Sequence, residues 1–188
     1  MNREFIVPVI VLSLICLFVS GILAVCNSFT LPVIESAAEA RAEAARRTII
    51  PEAAGFELLK TEGPHGEDGL PRTITAVYRT TNNLGYIFMI TTMGYGGEIK
   101  LICGIDPDGK IIGTATLFQT ETKGIATPVF EKPFQGQFTG RDKNLEGVSA
   151  ISGATISSMA YKHAVEDAFT AYEYIRQSAH EWLGEELH

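Results

Sequence analysis

The chain has 188 residues, a net charge of −7, a pI near 5.1, 46% hydrophobic and 20% charged residues, which excludes both an intrinsically disordered chain and a polytopic membrane protein. The acidic balance excludes a phosphate-backbone binder, so no nucleic-acid partner is expected. Three cysteines are too few for a dense disulfide framework or a four-cysteine zinc or iron–sulfur site.

Charge is unevenly distributed. Within residues 1–34 only Arg3 and Glu4 are charged, so nearly all of the Lys, Arg, Asp and Glu residues fall in the rest of the chain. Phe5 to Val25 is an uncharged run long enough, at about 1.5 Å per residue, to cross a hydrocarbon core of roughly 30 Å. Two other readings compete with a retained membrane helix. A cleaved signal peptide is disfavoured by a thin positive n-region, a long apolar stretch and the lack of an A-x-A site. Lipid attachment at Cys26 is disfavoured by Val25, because small residues usually precede such a cysteine. Arg3 precedes the run and no Lys or Arg follows it until Arg41. The positive-inside rule therefore puts residues 1–4 in the cytoplasm and everything after Val25 outside. The expected organisation is a transmembrane helix at 5–25, a helical linker at 26–51 and an extracytoplasmic domain at 52–188.

Ile34 to Thr48 is Ala-rich, with Glu35, Glu39 and Glu43 early and Arg41, Arg46 and Arg47 late. That order suits a helix dipole and predicts a solvated spacer helix ending near Pro51. Gly63 to Pro71 reads as a Gly/Pro/acid loop. Ile74, Ala76 and Tyr78 then alternate with Thr75, Val77 and Arg79, the period of a half-buried strand. Asn82-Asn83 offers a turn into a strand at 84–92. Ile99, Leu101, Cys103 and Ile105 alternate in the next, and Asp106-Pro107-Asp108-Gly109 turns the chain into a strand at 110–118. Short turns between successive strands predict an antiparallel meander. Gly94-Tyr95-Gly96-Gly97 holds more glycine than a hairpin needs, consistent with a ligand-approach loop or a bulge. A helix is predicted over 156–176, with Ile156, Met159, Ala160, His163, Ala164, Ala168, Tyr172 and Ile175 as its buried face. The fold class is α+β.

Before that helix stands Ser149-Ala150-Ile151-Ser152-Gly153-Ala154-Thr155-Ile156-Ser157-Ser158. A glycine turn, clustered hydroxyls and the free N–H groups of a helix start are the ingredients of an anion site. They are equally those of ordinary helix capping. Elsewhere the candidates are weaker. His65, His163, His180 and His188 lack metal-ligand spacing, so no metal is expected. Ser157 and Ser158 have no identifiable His/Asp partner for a hydrolase. Cys16 and Cys103 read as buried apolar thiols, and Phe130, Phe134 and Phe138 as core or interface.

Ser152-Gly153-Ala154-Thr155 resembles the S/T-G-A-T motif at which FMN is joined through its phosphate to threonine. Gly94-Tyr95-Gly96-Gly97-Glu98-Ile99 resembles the GYGGxI stretch of the same FMN-binding domain. Glu121-Thr122-Lys123-Gly124-Ile125 is similar to its E-T-P-G-L, and Phe134-Gln135-Gly136-Gln137-Phe138 to its F-x-x-Q-F segment. Together with the apolar N-terminus, the whole chain resembles the G-subunit family of Rnf electron-transport complexes. The C subunit of Na+-translocating NADH:quinone reductase shares the domain. The resemblance implies covalent FMN on Thr155, with Ser152, Gly153, Ala154, Ser157, Glu121, Thr122 and Gly124 as further cofactor-binding residues. It implies an electron-carrying flavoprotein subunit of a membrane ion-translocating ferredoxin:NAD+ oxidoreductase in the inner cell membrane, with other subunits and a maturing flavin transferase as partners. Such a chain completes no reaction alone and has no catalytic residue of its own. Lys123, if near the ring, would favour reduced anionic forms; a solvated surface lysine is the alternative. Ser149 stands where the family often has Asp, and Lys123-Gly124-Ile125-Ala126 where it has Pro-Gly-Leu-Gly. The alternatives to a G-type chain are the C-type subunit and a membrane-anchored domain that carries no flavin.

Overall fold

The computed structural model describes residues 3–61 and 70–185. Most of the expected Gly/Pro/acid loop, residues 62–69, lies outside the described residues. The chain divides into two units, Met1–Ala42 and Glu43–His188.

The first unit is helical. Helix α1 runs Arg3–Ile49 with Pro8 and Pro32 inside it. The predicted membrane helix and spacer helix are thus one uninterrupted helix through Pro32, and by length and composition its apolar part is able to cross a membrane. The side chains from Val7 to Val25 are outward-facing and unpacked by protein.

The second unit begins with the last turns of α1. They are not a solvated spacer. Arg46 is only 3% exposed; its guanidinium lies 4.3 Å from the Tyr78 ring centroid and bonds Glu43 at 3.0 Å. The Arg46 hydrogen bond, with help from the charges of Arg46 and Arg47, holds the Glu43 carboxyl below its ordinary value despite some desolvation. Ile49, Ile50 and Ala53 then pack on Ile87 and Ile102.

Strands β1 (Phe56–Thr61), β2 (Ile74–Thr80), β3 (Tyr86–Met93), β4 (Glu98–Ile105) and β5 (Ile111–Gln119) form one antiparallel sheet in the order β1-β2-β3-β4-β5, the predicted meander. Strand β1 was not anticipated. Its Phe-Glu-Leu-Leu-Lys-Thr sequence does not alternate, because a bulge between Leu58 and Lys60 breaks the register. The sheet is covered on both faces, so β4 is buried almost throughout. Ile99, Leu101, Cys103 and Ile105 share one face as expected and join the larger core, while Ile102 faces the end of α1. In β2 the expected Ile74-Ala76-Tyr78 face is broken by a bulge between Ile74 and Ala76. Ile74 and Val77 enter the larger core, and Tyr78 turns to the other face.

Helix α2 (Lys132–Gln135) follows a 3-10 turn at Thr127–Phe130, and α3 spans Thr155–Glu185. The buried face of α3 is Ser157, Ser158, Tyr161, Ala164, Val165, Ala168, Phe169, Ala171 and Tyr172. Ile156, Met159 and His163 are exposed instead of buried. Both stripes have three- and four-residue spacing; close packing on the sheet selects the one rich in Ala and Ser. Phe134, Phe138 and Tyr161 form an aromatic trio with centroids 5.4 to 5.6 Å apart, each pair adding about 0.5–1.5 kcal/mol beyond area burial. The trio anchors the start of α3 to the segment after β5.

Candidate functional site

The turn into α3 is built from Ile151 to Ala154. Gly153 has φ +81° with open space around its missing Cβ, a conformation costly for any side-chain-bearing residue. Ala154 N–H donates to Ile151 O at 3.0 Å. Ser158 Oγ accepts from Ile151 N–H at 3.0 Å and donates to Ala154 O at 2.9 Å, stapling the turn to the first helical turn. The first helical bond, Ser158 N–H to Ala154 O, makes Ala154 the cap residue, and alanine has no side-chain oxygen to satisfy the first-turn donors. The hydroxyls therefore do not cap this helix. Thr155 is its first residue and is exposed, Ser152 is exposed two residues before the cap, and Ser157 is buried. The N–H groups at the start of α3 keep their capacity to bind an anion.

These groups open on a cleft of about 390 Å³, within the range of small-molecule sites. It is lined by Tyr95 from the β3–β4 loop, by Glu121, Thr122, Ile125 and Ala126 after β5, and by residues 153–157 at the start of α3. Glu121 is the polar anchor. It is 6% exposed; its Oε2 accepts from Gly96 N–H at 2.9 Å and its own N–H donates to Gln119 Oε1 at 2.7 Å. Glu121 Oε1 is buried with no hydrogen-bond partner and sits where a Cβ on Gly94 would be. A Cβ on Gly97 would collide with Thr120 Oγ1, which accepts from Glu98 N–H at 2.8 Å. The Thr120-Glu121 backing thus accounts for the absence of side chains at positions 94 and 97.

Of the residues expected at the site, the cleft brings together Thr155, Gly153, Ala154, Ser157, Glu121 and Thr122. Ser152 and Gly124 do not line it. Gly124, at φ +90°, donates its N–H to Thr127 Oγ1 at 2.9 Å. Lys123 is an exposed lysine outside the lining. Sequence reasoning missed Tyr95, Ile125, Ala126 and Ile156 as lining residues, although Tyr95 and Ile125 lay inside two of the motifs. The Phe134–Phe138 segment acts from behind. Gln137 Oε1 accepts from Ser149 N–H at 2.9 Å and its Nε2 donates to Ser149 O at 3.4 Å, so an amide brace fixes the approach to the turn. Ser149 itself is exposed. Cys103 is buried, and burial pushes its thiol well up. Among the described residues no group of His, Cys, Asp or Glu is arranged to hold a metal.

The family model for the FMN-binding domain matches residues 94–170, a span that begins at the glycine loop and contains every wall of the cleft. The G subunit of an ion-translocating oxidoreductase complex from Methanosarcina acetivorans is 36% identical over 134 residues, covering 66% of this chain and 71% of that protein. The chain belongs to the G-subunit family of ion-translocating oxidoreductase complexes. The G subunit of the Na(+)-translocating ferredoxin:NAD(+) oxidoreductase complex of Acetobacterium woodii is 28% identical, over 80% of this chain and 83% of the relative. The G subunit of the proton-translocating ferredoxin:NAD(+) oxidoreductase complex of Clostridium ljungdahlii is 31% identical over 103 residues, 50% of this chain and 56% of that protein. The match thus spans little more than half of the Clostridium relative. The expectation of a G-type chain with an FMN-binding domain is met. The lining also fits FMN physically: uncapped helix donors for a phosphate, an orphaned buried carboxylate oxygen beside the loop, and apolar side chains at the rim.

Proposed function

We propose that this protein is an electron-carrying flavoprotein subunit of a membrane ion-translocating ferredoxin:NAD+ oxidoreductase complex, with FMN esterified through its phosphate to Thr155. The observation that carries this reading is Thr155 itself, exposed at the first position of α3 and lining the cleft, beside donors that no side chain caps. Ser157 and Ser158 are 2% and 1% exposed, which argues against either as the acceptor. FMN supplies the one- and two-electron chemistry when bound. The protein's part is to hold and orient. Thr155 Oγ carries the phosphoryl group, and the N–H groups of Ile156 and Ser157 offset its remaining negative charge. Thr155 is modified once, by a flavin transferase, and is not a nucleophile in turnover. Domain 52–188 faces the outside of the inner cell membrane, residues 1–4 face the cytoplasm, and the span 5–25 in α1 tethers the carrier among the other subunits of the complex.

Two measurements test this reading. After co-expression with a flavin transferase, flavin fluorescence should survive denaturing electrophoresis and vanish in Thr155→Ala. Label that persists in Thr155→Ala but disappears in Ser157→Ala or Ser158→Ala overturns the acceptor assignment. Protease added outside spheroplasts should remove the domain; full protection, with other outer-face proteins digested, overturns the topology.

A further inference from the structure

The glycine loop presents one side chain. Its backbone is clamped by Gly94 N–H to Gly97 O at 2.8 Å, by Gly96 N–H to Glu121 Oε2 at 2.9 Å and by Glu98 N–H to Thr120 Oγ1 at 2.8 Å. Contacts with Glu121 and Thr120 account for Gly94 and Gly97. Tyr95 is 74% exposed and forms part of the cleft lining. The same cleft is lined by Ile125, 60% exposed, and Ile156, 58% exposed. Ile156 directly follows Thr155, so the apolar rim and the anion-binding end belong to one cleft. An aromatic ring left in water on a clamped backbone, in a cleft with two exposed isoleucines, is an apolar platform for a flat partner.

We propose that Tyr95 is the ring-positioning residue of this site: its phenol packs against the isoalloxazine of the FMN held at Thr155, with Ile125 and Ile156 flanking the ring. This rests on the reading of Thr155 above. The clamp gives Tyr95 its value, because a side chain on a fixed backbone loses little freedom when the ring settles on it. The contact leaves an optical signature. A tyrosine stacked on a flavin passes an electron to the excited ring and takes it back, which quenches emission without net chemistry.

The experiment uses the full chain in detergent micelles, co-expressed with a flavin transferase, with intact mass confirming FMN on each variant. Tyr95→Leu should raise the flavin fluorescence yield several-fold and increase its collisional quenching by iodide. Tyr95→Trp, a better electron donor, should keep the ring covered and shorten the emission lifetime. A yield, lifetime and iodide response unchanged in both variants, with FMN mass intact, would show that the ring lies elsewhere; the proposal then fails while attachment at Thr155 stands. If Tyr95→Leu does not load, the Trp variant decides alone. Absence of FMN mass from the wild-type chain removes both.

Discussion

Alanine at position 94 should loosen the wall of the cleft. The Gly94 backbone is outside the left-handed region, so the substitution is allowed by conformation, and restriction of the unfolded chain would by itself stabilise by about 0.4–1 kcal/mol. The obstacle is steric. The new methyl overlaps Glu121 Oε1 and comes within 2.8 Å of Ile99 Cδ1. Glu121 is a flexible side chain and relieves the overlap by rotating, but rotation forfeits its 2.9 Å bond from Gly96 N–H, a charge-assisted contact worth about 1.5–3 kcal/mol. The net loss is about 0.5–2.5 kcal/mol, which lowers Tm by roughly 2–8 °C for a domain of this size. Thermal unfolding of the full chain in micelles, followed by near-UV circular dichroism, gives the number. The double variant Gly94→Ala/Glu121→Ala identifies the cause, because without the carboxylate the methyl has room. The two changes should be less than additive by at least about 0.5 kcal/mol. Gly124→Ala is the control: its cost comes from φ +90° in open space and should add independently of Glu121. An unchanged Tm in Gly94→Ala, or strict additivity with Glu121→Ala, refutes the reasoning.

Two further outcomes follow from burial. Cys103 should resist a thiol reagent at mildly alkaline pH in the native protein and react after unfolding, since burial disfavours its thiolate; peptide mapping that finds native Cys103 labelled at the unfolded rate contradicts this. Burial also raises the Tyr161 phenol above its ordinary 10.0. The folded state therefore holds its proton longer than the unfolded chain. The stability this contributes is intact below pH 10.0 and is lost as pH rises beyond it. Tyr161→Phe removes that slope along with a hydroxyl that has no hydrogen-bond partner, so its Tm advantage over the wild type should grow from roughly pH 9 to pH 11. Parallel Tm curves across that interval would count against the assignment.

What the sequence determined by itself was whatever depends on neighbours along the chain. A charge-free run predicts an apolar helix because every residue in it meets the same requirement. Asp106-Pro107-Asp108-Gly109 predicts a turn because Asp106 Oδ1 accepts from the N–H of Asp108 and Lys110. The four motifs were legible as motifs, and with them the family. Tertiary structure decided which faces were used and which motifs meet. Ile156 and Met159 fit a buried stripe as well as Ser157 and Tyr161 do; close packing against the sheet chose the latter and left Ile156 at the rim of the cleft. The bulge after Ile74 reversed the sides of β2, and the burial of Arg46 under Tyr78 turned an expected spacer into part of the second core. Tyr95, Glu121 and Thr155 are far apart in sequence, and the apolar rim around them became visible only when the meander and α3 brought the three to one cleft. Periodicity fixes which residues share a face, but only the partner surface determines which face is buried and which remains free to hold a ligand.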